Sequence, residues 1–117
     1  MDVAPFDVVI VPFPYSDRLA EKRRPAVVVS SAALHADREL LWVAMVTTTP
    51  PRSAFDFTLS ELDSTGLNVA CGLRPGKLAA IEPGRIVRRV GALGPADRSN
   101  LAAALDQLAG WRTTSQV

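Results

Sequence analysis

The sequence predicts an α+β domain that is mainly β, a small twisted antiparallel barrel with one α-helix at its C-terminal end. Two observations point there. Runs rich in Val and Ile recur at close spacing, each stopped by Pro, Gly or a polar cluster, as short strands require. Near the end, Leu101, Ala104, Leu105 and Leu108 recur at helical spacing and make one apolar stripe. The chain has 117 residues, a length suited to a single domain. At that size folding buries roughly 65–70% of the surface the unfolded chain exposes. A hydrophobic content of 48% supplies the core.

The elements follow in order. Residues 6–13 read as a buried first strand ended by Pro12 and Pro14. Residues 15–24 are polar and charged, a loop longer than the roughly two to five residues typical of hairpins. Residues 25–30 are the second strand, with Pro25 as its first residue, where no ladder donor is lost. Residues 31–39 lack a firm period and read as an irregular or short helical connection. A third strand is expected over 40–48, a fourth over 55–59, and a polar turn with Gly66 over 60–67. A short fifth strand spans 69–73. Glu82-Pro83-Gly84 has turn chemistry. A strand over 86–90 should place Ile86, Arg88 and Val90 on one face. Pro95 suits the first turn of the helix, Asp97 suits its positive end, and Gly110 can end it.

Several function classes lose support at once. Cys71 is the lone cysteine, so no intrachain disulfide can form. No stretch reaches the roughly 18 apolar residues of a membrane span, and the run from Val8 to Val11 follows acidic rather than basic residues. A cytoplasmic globular domain with no membrane contact is expected. A metal site is poorly supported, with one His, one Cys and no clustered carboxylates at ligand spacing. Neither a P-loop nor a G-x-G-x-x-G pattern occurs. His35 lies in a connector and reads as a packed or exposed residue, and Cys71 as a small core hydrophobe.

What remains is arginine with hydroxyls. The net charge of +1 conceals a basic group at Lys22-Arg23-Arg24 and five basic residues (Arg74, Lys77, Arg85, Arg88, Arg89) against Glu82 alone. A positive face of that kind attracts phosphates. Arg24 enters the second strand and Thr47-Thr48-Thr49 ends the third, so neighbouring strands would bring them to one groove. A guanidinium fork matches phosphate geometry and stabilises the charge added in a pentacoordinate transition state. RNA brings its own nucleophile, the 2′-hydroxyl.

The segments 7–17 (DVVIVPFPYSD) and 22–30 (KRRPAVVVS) resemble the opening of the MazF/PemK family of toxin endoribonucleases. The resemblance continues through 43–48 (VAMVTT), 73–78 (LRPGKL) and 86–93 (IVRRVGAL), and covers residues 6–109, leaving 110–117 as a short tail. It implies an SH3-like barrel, a homodimer, a cognate antitoxin protein, and cofactor-free, metal-independent cleavage of single-stranded RNA. It also implies catalytic roles for Arg24 and Thr47. Lys22, Arg23, Thr48, Arg74 and Lys77 are the expected RNA-binding residues. Two departures stand out: Gly76 sits where some relatives carry an Asp, and Phe6 where a Gly is common. The proton acceptor is therefore open, with Glu82 and Asp17 as candidate bases. A non-cleaving or gyrase-poison-like binding module on the same barrel is the alternative. Trp111 invites that comparison, although a core aromatic at the helix end is the plainer expectation.

Overall fold

The computed structural model describes residues 2–12 and 22–111. Among these residues there are six strands and two α-helices: β1 (Asp7–Pro12), β2 (Arg23–Val28), α1 (Ala32–Arg38), β3 (Leu41–Thr47), β4 (Phe57–Thr58), β5 (Gly72–Ile81), β6 (Arg88–Ala92) and α2 (Pro95–Ala109). The strands form one antiparallel sheet in the order β4-β5-β3-β2-β1-β6, curled into a half-barrel.

Both faces of this sheet are covered, which is why β1 and β2 read as unbroken apolar runs rather than alternating ones. Val9, Val11, Ala26, Val28, Val43 and Ile81 pack on one side with Ile86. Val8, Val27, Ala44, Val46 and Leu73 pack on the other, under Leu93 and Leu101 of the C-terminal segment. Asp97, fully buried in the first turn of α2, fastens that helix. Its carboxylate accepts the Ser60 and Glu61 backbone N–H groups and the Ser60 hydroxyl at 2.9–3.0 Å.

Three expectations are revised. The fifth strand does not stop at Leu73 but runs to Ile81, straight through Pro75-Gly76. Opposite β3 the pairing jumps from Ala44↔Leu78 to Met45↔Arg74, so residues 75–77 bulge out and the ladder resumes beyond them. The segment 86–90 does not present one face. A bulge against β1, between the pairs Val8↔Gly91 and Val9↔Arg89, leaves Val90 unpaired, and Ile86 and Val90 join opposite cores. Pro25 is not the first residue of its strand, because β2 begins at Arg23. Pro25 instead marks where β2 parts from β3: the pairing with β1 continues to Arg23, whereas that with β3 begins only at Ala26.

Phe6 holds a backbone φ of 75°, the left-handed region that favours glycine. Its N–H donates to the Val28 carbonyl at 2.6 Å and its carbonyl accepts the Leu93 N–H at 2.9 Å. The half-buried ring leans on the core below Leu93 and lies under the Arg98 guanidinium at 5.4 Å.

Candidate functional site

Proline decides the local geometry of the site. It has no N–H for the β3 ladder, so the last paired residues of β2 and β3 are Ala26 and Met45. Continuing that register by two residues sets Arg24 against Thr47 at the mouth of the opened pair. A hollow of about 130 Å³ forms there, lined by Arg24, Thr47, Thr48, Asn68, Val69 and Cys71 among others. The sheet thus brings together Arg24, Thr47 and Thr48, as their sequence positions suggest.

Thr47 is held rather than free to rotate. Its Oγ1 accepts the Thr49 N–H at 3.1 Å and lies 2.7 Å from the Thr49 hydroxyl. Cys71 shares the wall, but burial, and then the nearby Asp97 charge, push its thiol above the usual range. It stays protonated and is no nucleophile at neutral pH.

Arg74 stands opposite Met45, two residues along β5 from the partner of Thr47. Its Nε lies 3.6 Å from the Asp56 carboxylate, whose side chain is 5% exposed. Asp56 was not among the residues the sequence singled out. It also accepts the Arg52 and Ser53 backbone N–H groups at 3.0 and 3.3 Å and the Ser53 hydroxyl at 3.0 Å. Burial alone would raise this carboxyl. The Arg52 and Ser53 donors and the Arg74 charge outweigh it and hold the group below its ordinary value.

The other expected residues are placed differently. Arg23 pairs with Pro12 on β1, and Lys22 precedes β2, both exposed beside Arg24. Lys77 sits in the bulge of β5, and the neighbouring Gly76 faces Leu108 of α2. Glu82 follows Ile81, which pairs with Leu41 at the far end of β3 from Thr47. Six residues of strand separate those ends, about 20 Å. The fold does not bring Glu82 to the groove. Asp17 lies outside the described residues. The basic segment 74–89 is also less uniformly positive than its composition suggests, because Arg89 pairs with Asp7 at 3.1 Å and Arg74 with Asp56.

Trp111 is not a core aromatic. It is 71% exposed and stands with Trp42, Leu78 and Leu108, all at least 39% exposed, around an open apolar groove of about 520 Å³ between α2 and the sheet.

These features define a small β domain, a half-barrel whose opened strand pair sets an arginine against two threonine hydroxyls. The chain belongs to the family described as PemK-like, MazF-like toxin of type II toxin–antitoxin system, which it matches over residues 4–109. Among solved structures it is similar to an endoribonuclease in complex with its cognate antitoxin from Mycobacterial species. That similarity has a TM-score of 0.77 at 14% identity, covering 95% of this chain and 98% of that one. It is also similar to a MazE–MazF complex from Deinococcus radiodurans, with a TM-score of 0.76 at 19% identity over 94% and 98%. A second MazF structure from that organism gives 0.67 at 25% identity over 92% and 96%. No curated protein matches the chain by sequence. Among the described residues no helix is long and apolar enough to cross a membrane.

Proposed function

We propose that this toxin is an endoribonuclease that cleaves single-stranded RNA by metal-independent transesterification, leaving 2′,3′-cyclic phosphate and 5′-hydroxyl ends. The observation that carries the reading is the meeting of Arg24, Thr47 and Thr48 in one groove. The substrate 2′-oxygen attacks phosphorus as the bond to the 5′-oxygen breaks. The proton leaving the 2′-hydroxyl goes to a base, and the departing 5′-oxygen takes one up. Arg24 clamps the phosphoryl oxygens as their charge grows, and Thr47, fixed by Thr49, orients the phosphate or the 2′-hydroxyl. Arginine is a poor proton acceptor because its pKa exceeds about 12. With Glu82 carried to the far end of the sheet, Asp17 is the remaining carboxylate of the two the sequence offers. Arg23 and Lys22 supply positive charge along the approach.

The protein acts in the cytoplasm as a homodimer restrained by a cognate antitoxin. The solved complexes of similar fold, one an endoribonuclease with its antitoxin and one a MazE–MazF pair, support the antitoxin. The exposed face of Trp42, Leu78, Leu108 and Trp111 supports a second copy as its cover, since contiguous apolar surface of this kind marks protein contacts. Leu108→Glu should shift the protein from dimer to monomer in sedimentation equilibrium. An unchanged mass would remove this face from the interface. The cleavage reading is tested by incubating purified protein with mixed-sequence single-stranded RNA in EDTA, where products ending in cyclic phosphate are expected and intact RNA would overturn it.

A further inference from the structure

A hydroxyl has one proton to donate and two lone pairs with which to accept. At Thr47 most of that capacity is already in use. β3 ends at this residue, and the chain then turns so that the Thr49 N–H donates to Thr47 Oγ1 at 3.1 Å. One lone pair is thereby taken. The Thr49 hydroxyl lies 2.7 Å from the same oxygen, a hydrogen bond in which either hydroxyl can be the donor.

The two directions of that bond have different consequences. If Thr47 donates to Thr49, no proton is left for the groove. If Thr49 donates to Thr47, the second lone pair is filled and the Thr47 proton is released toward the groove. A phosphoryl oxygen only accepts, so a phosphate beside Arg24 selects the second direction. Thr47 then has no lone pair left for the 2′-hydroxyl proton, and its remaining role is donation to the phosphate. The bond received from Thr49 also polarises the Thr47 O–H, so that donation strengthens as charge grows on the phosphoryl oxygens.

The backbone holds Thr49 in place for this task. It precedes Pro50, which keeps it out of the helical region, and Pro51 fixes the next φ in turn. At the other end of the same loop the Asp56 carboxylate accepts the Arg52 and Ser53 N–H groups, so the connection from β3 to β4 is tied at both ends. Thr49 does not line the Arg24 hollow, whereas Thr47 and Thr48 do. Its route to a phosphate there is Thr47.

We propose that Thr49 is a positioning residue, whose hydroxyl commits Thr47 to donate to a phosphoryl oxygen of the RNA rather than to accept from the 2′-hydroxyl. The inference rests on the RNA-cleaving reading, and one arm of its test needs no cleavage. Thr49 is exposed, so the near-isosteric Thr49→Val keeps the fold and the N–H bond and removes only the hydroxyl. Full-length variants are titrated with a pool of fluorescent random-sequence 2′-O-methyl decamers, which lack the nucleophile. Their single-turnover cleavage of saturating unmodified RNA is measured alongside. Thr49→Val should weaken binding by about threefold and slow cleavage by about tenfold, within the range that one hydrogen bond supplies. Thr49→Ser, which keeps the hydroxyl, should return both to within about twofold of wild type. In a Thr47→Val background, Thr49→Val should change either by less than about twofold, because its effect passes through Thr47. Thr49→Val equal to wild type in both arms overturns the inference. So does a loss that Thr49→Ser does not restore, or one that persists undiminished without the Thr47 hydroxyl. A wild type that does not bind the decamers overturns it as well, since no phosphate then reaches Thr47. Coupled losses of binding in a protein that cuts no RNA uphold the positioning role and remove the nuclease reading. Cleavage by wild type that Thr49→Val matches does the reverse.

Discussion

Replacing Phe6 by glycine and by alanine should reverse the usual order of those two residues. In an ordinary helix or strand, Gly is less stable than Ala by roughly 0.5–1 kcal/mol, because its unfolded chain has more freedom to lose. At φ 75° the sign changes. A Cβ in the left-handed region costs roughly 1–2 kcal/mol, and only Gly escapes it. Setting one against the other leaves Phe6→Gly more stable than Phe6→Ala by up to about 1.5 kcal/mol, with a midpoint of about 0.75 kcal/mol. Both variants lose the half-buried ring and its contact with Arg98, so both should fall below wild type. The ring contact with Arg98 adds about 0.5–1 kcal/mol to that loss. Urea denaturation followed by circular dichroism measures all three, with equal m-values as the check that only stability has changed. An alanine variant at least as stable as the glycine variant would refute the reasoning, because strain at this residue would then be absent. A glycine variant more stable than wild type would show that the ring does not offset the strain.

Two further outcomes follow from the buried carboxylates. Asp97→Ala removes the charged acceptor of the Ser60 and Glu61 N–H groups; because Ser60 is exposed and Glu61 half-buried, water replaces part of the bonding, and the loss should be about 1.5–3 kcal/mol in thermal or urea unfolding. Asp97→Asn, which keeps one acceptor oxygen, should lose less. Asp56 has a folded pKa held below the ordinary value of 3.8. Its contribution is therefore present above that value and is lost as pH falls through the folded one. Unfolding of wild type from neutral pH down to acid should show that decline, and Asp56→Asn should be less stable at neutral pH but decline less steeply. Parallel acid limbs for the two proteins would contradict the assignment.

Much of the fold is legible in the sequence, for a physical reason. β1, β2 and β3 are buried on both faces, so the apolar runs at Val8–Val11, Ala26–Val28 and Val43–Val46 carry no alternation to misread. The same register makes the meeting of Arg24 and Thr47 legible, because two antiparallel strands with known ends place their partners by counting. Bulges are what counting does not foresee. Residues 75–77 look like a turn, yet the ladder resumes beyond them, and the unpaired Val90 sends Ile86 to the other core. Asp56 carries no signal in the sequence, because its importance comes from a loop closing on Arg74, eighteen residues away, with no local pattern to mark it. Trp111 looked like core material because it follows the stripe of α2, but that stripe runs past the sheet: Leu101 is fully buried and Leu108 is 40% exposed. Phe6 shows the reverse case, a departure visible in the sequence whose meaning, a left-handed backbone carried by a bulky residue, is visible only in the fold.

The central claim is that Arg24, set against Thr47 by the parting of β2 and β3, is the charge that cleaves RNA. Sequencing the 5′ ends of RNA exposed to wild type and to Arg24→Ala in EDTA tests it most directly. Wild type should produce new 5′-hydroxyl ends at recurring positions, and Arg24→Ala should lower their yield by about a hundredfold or more, as loss of a main transition-state charge does. Equal cutting by the two proteins would contradict the claim.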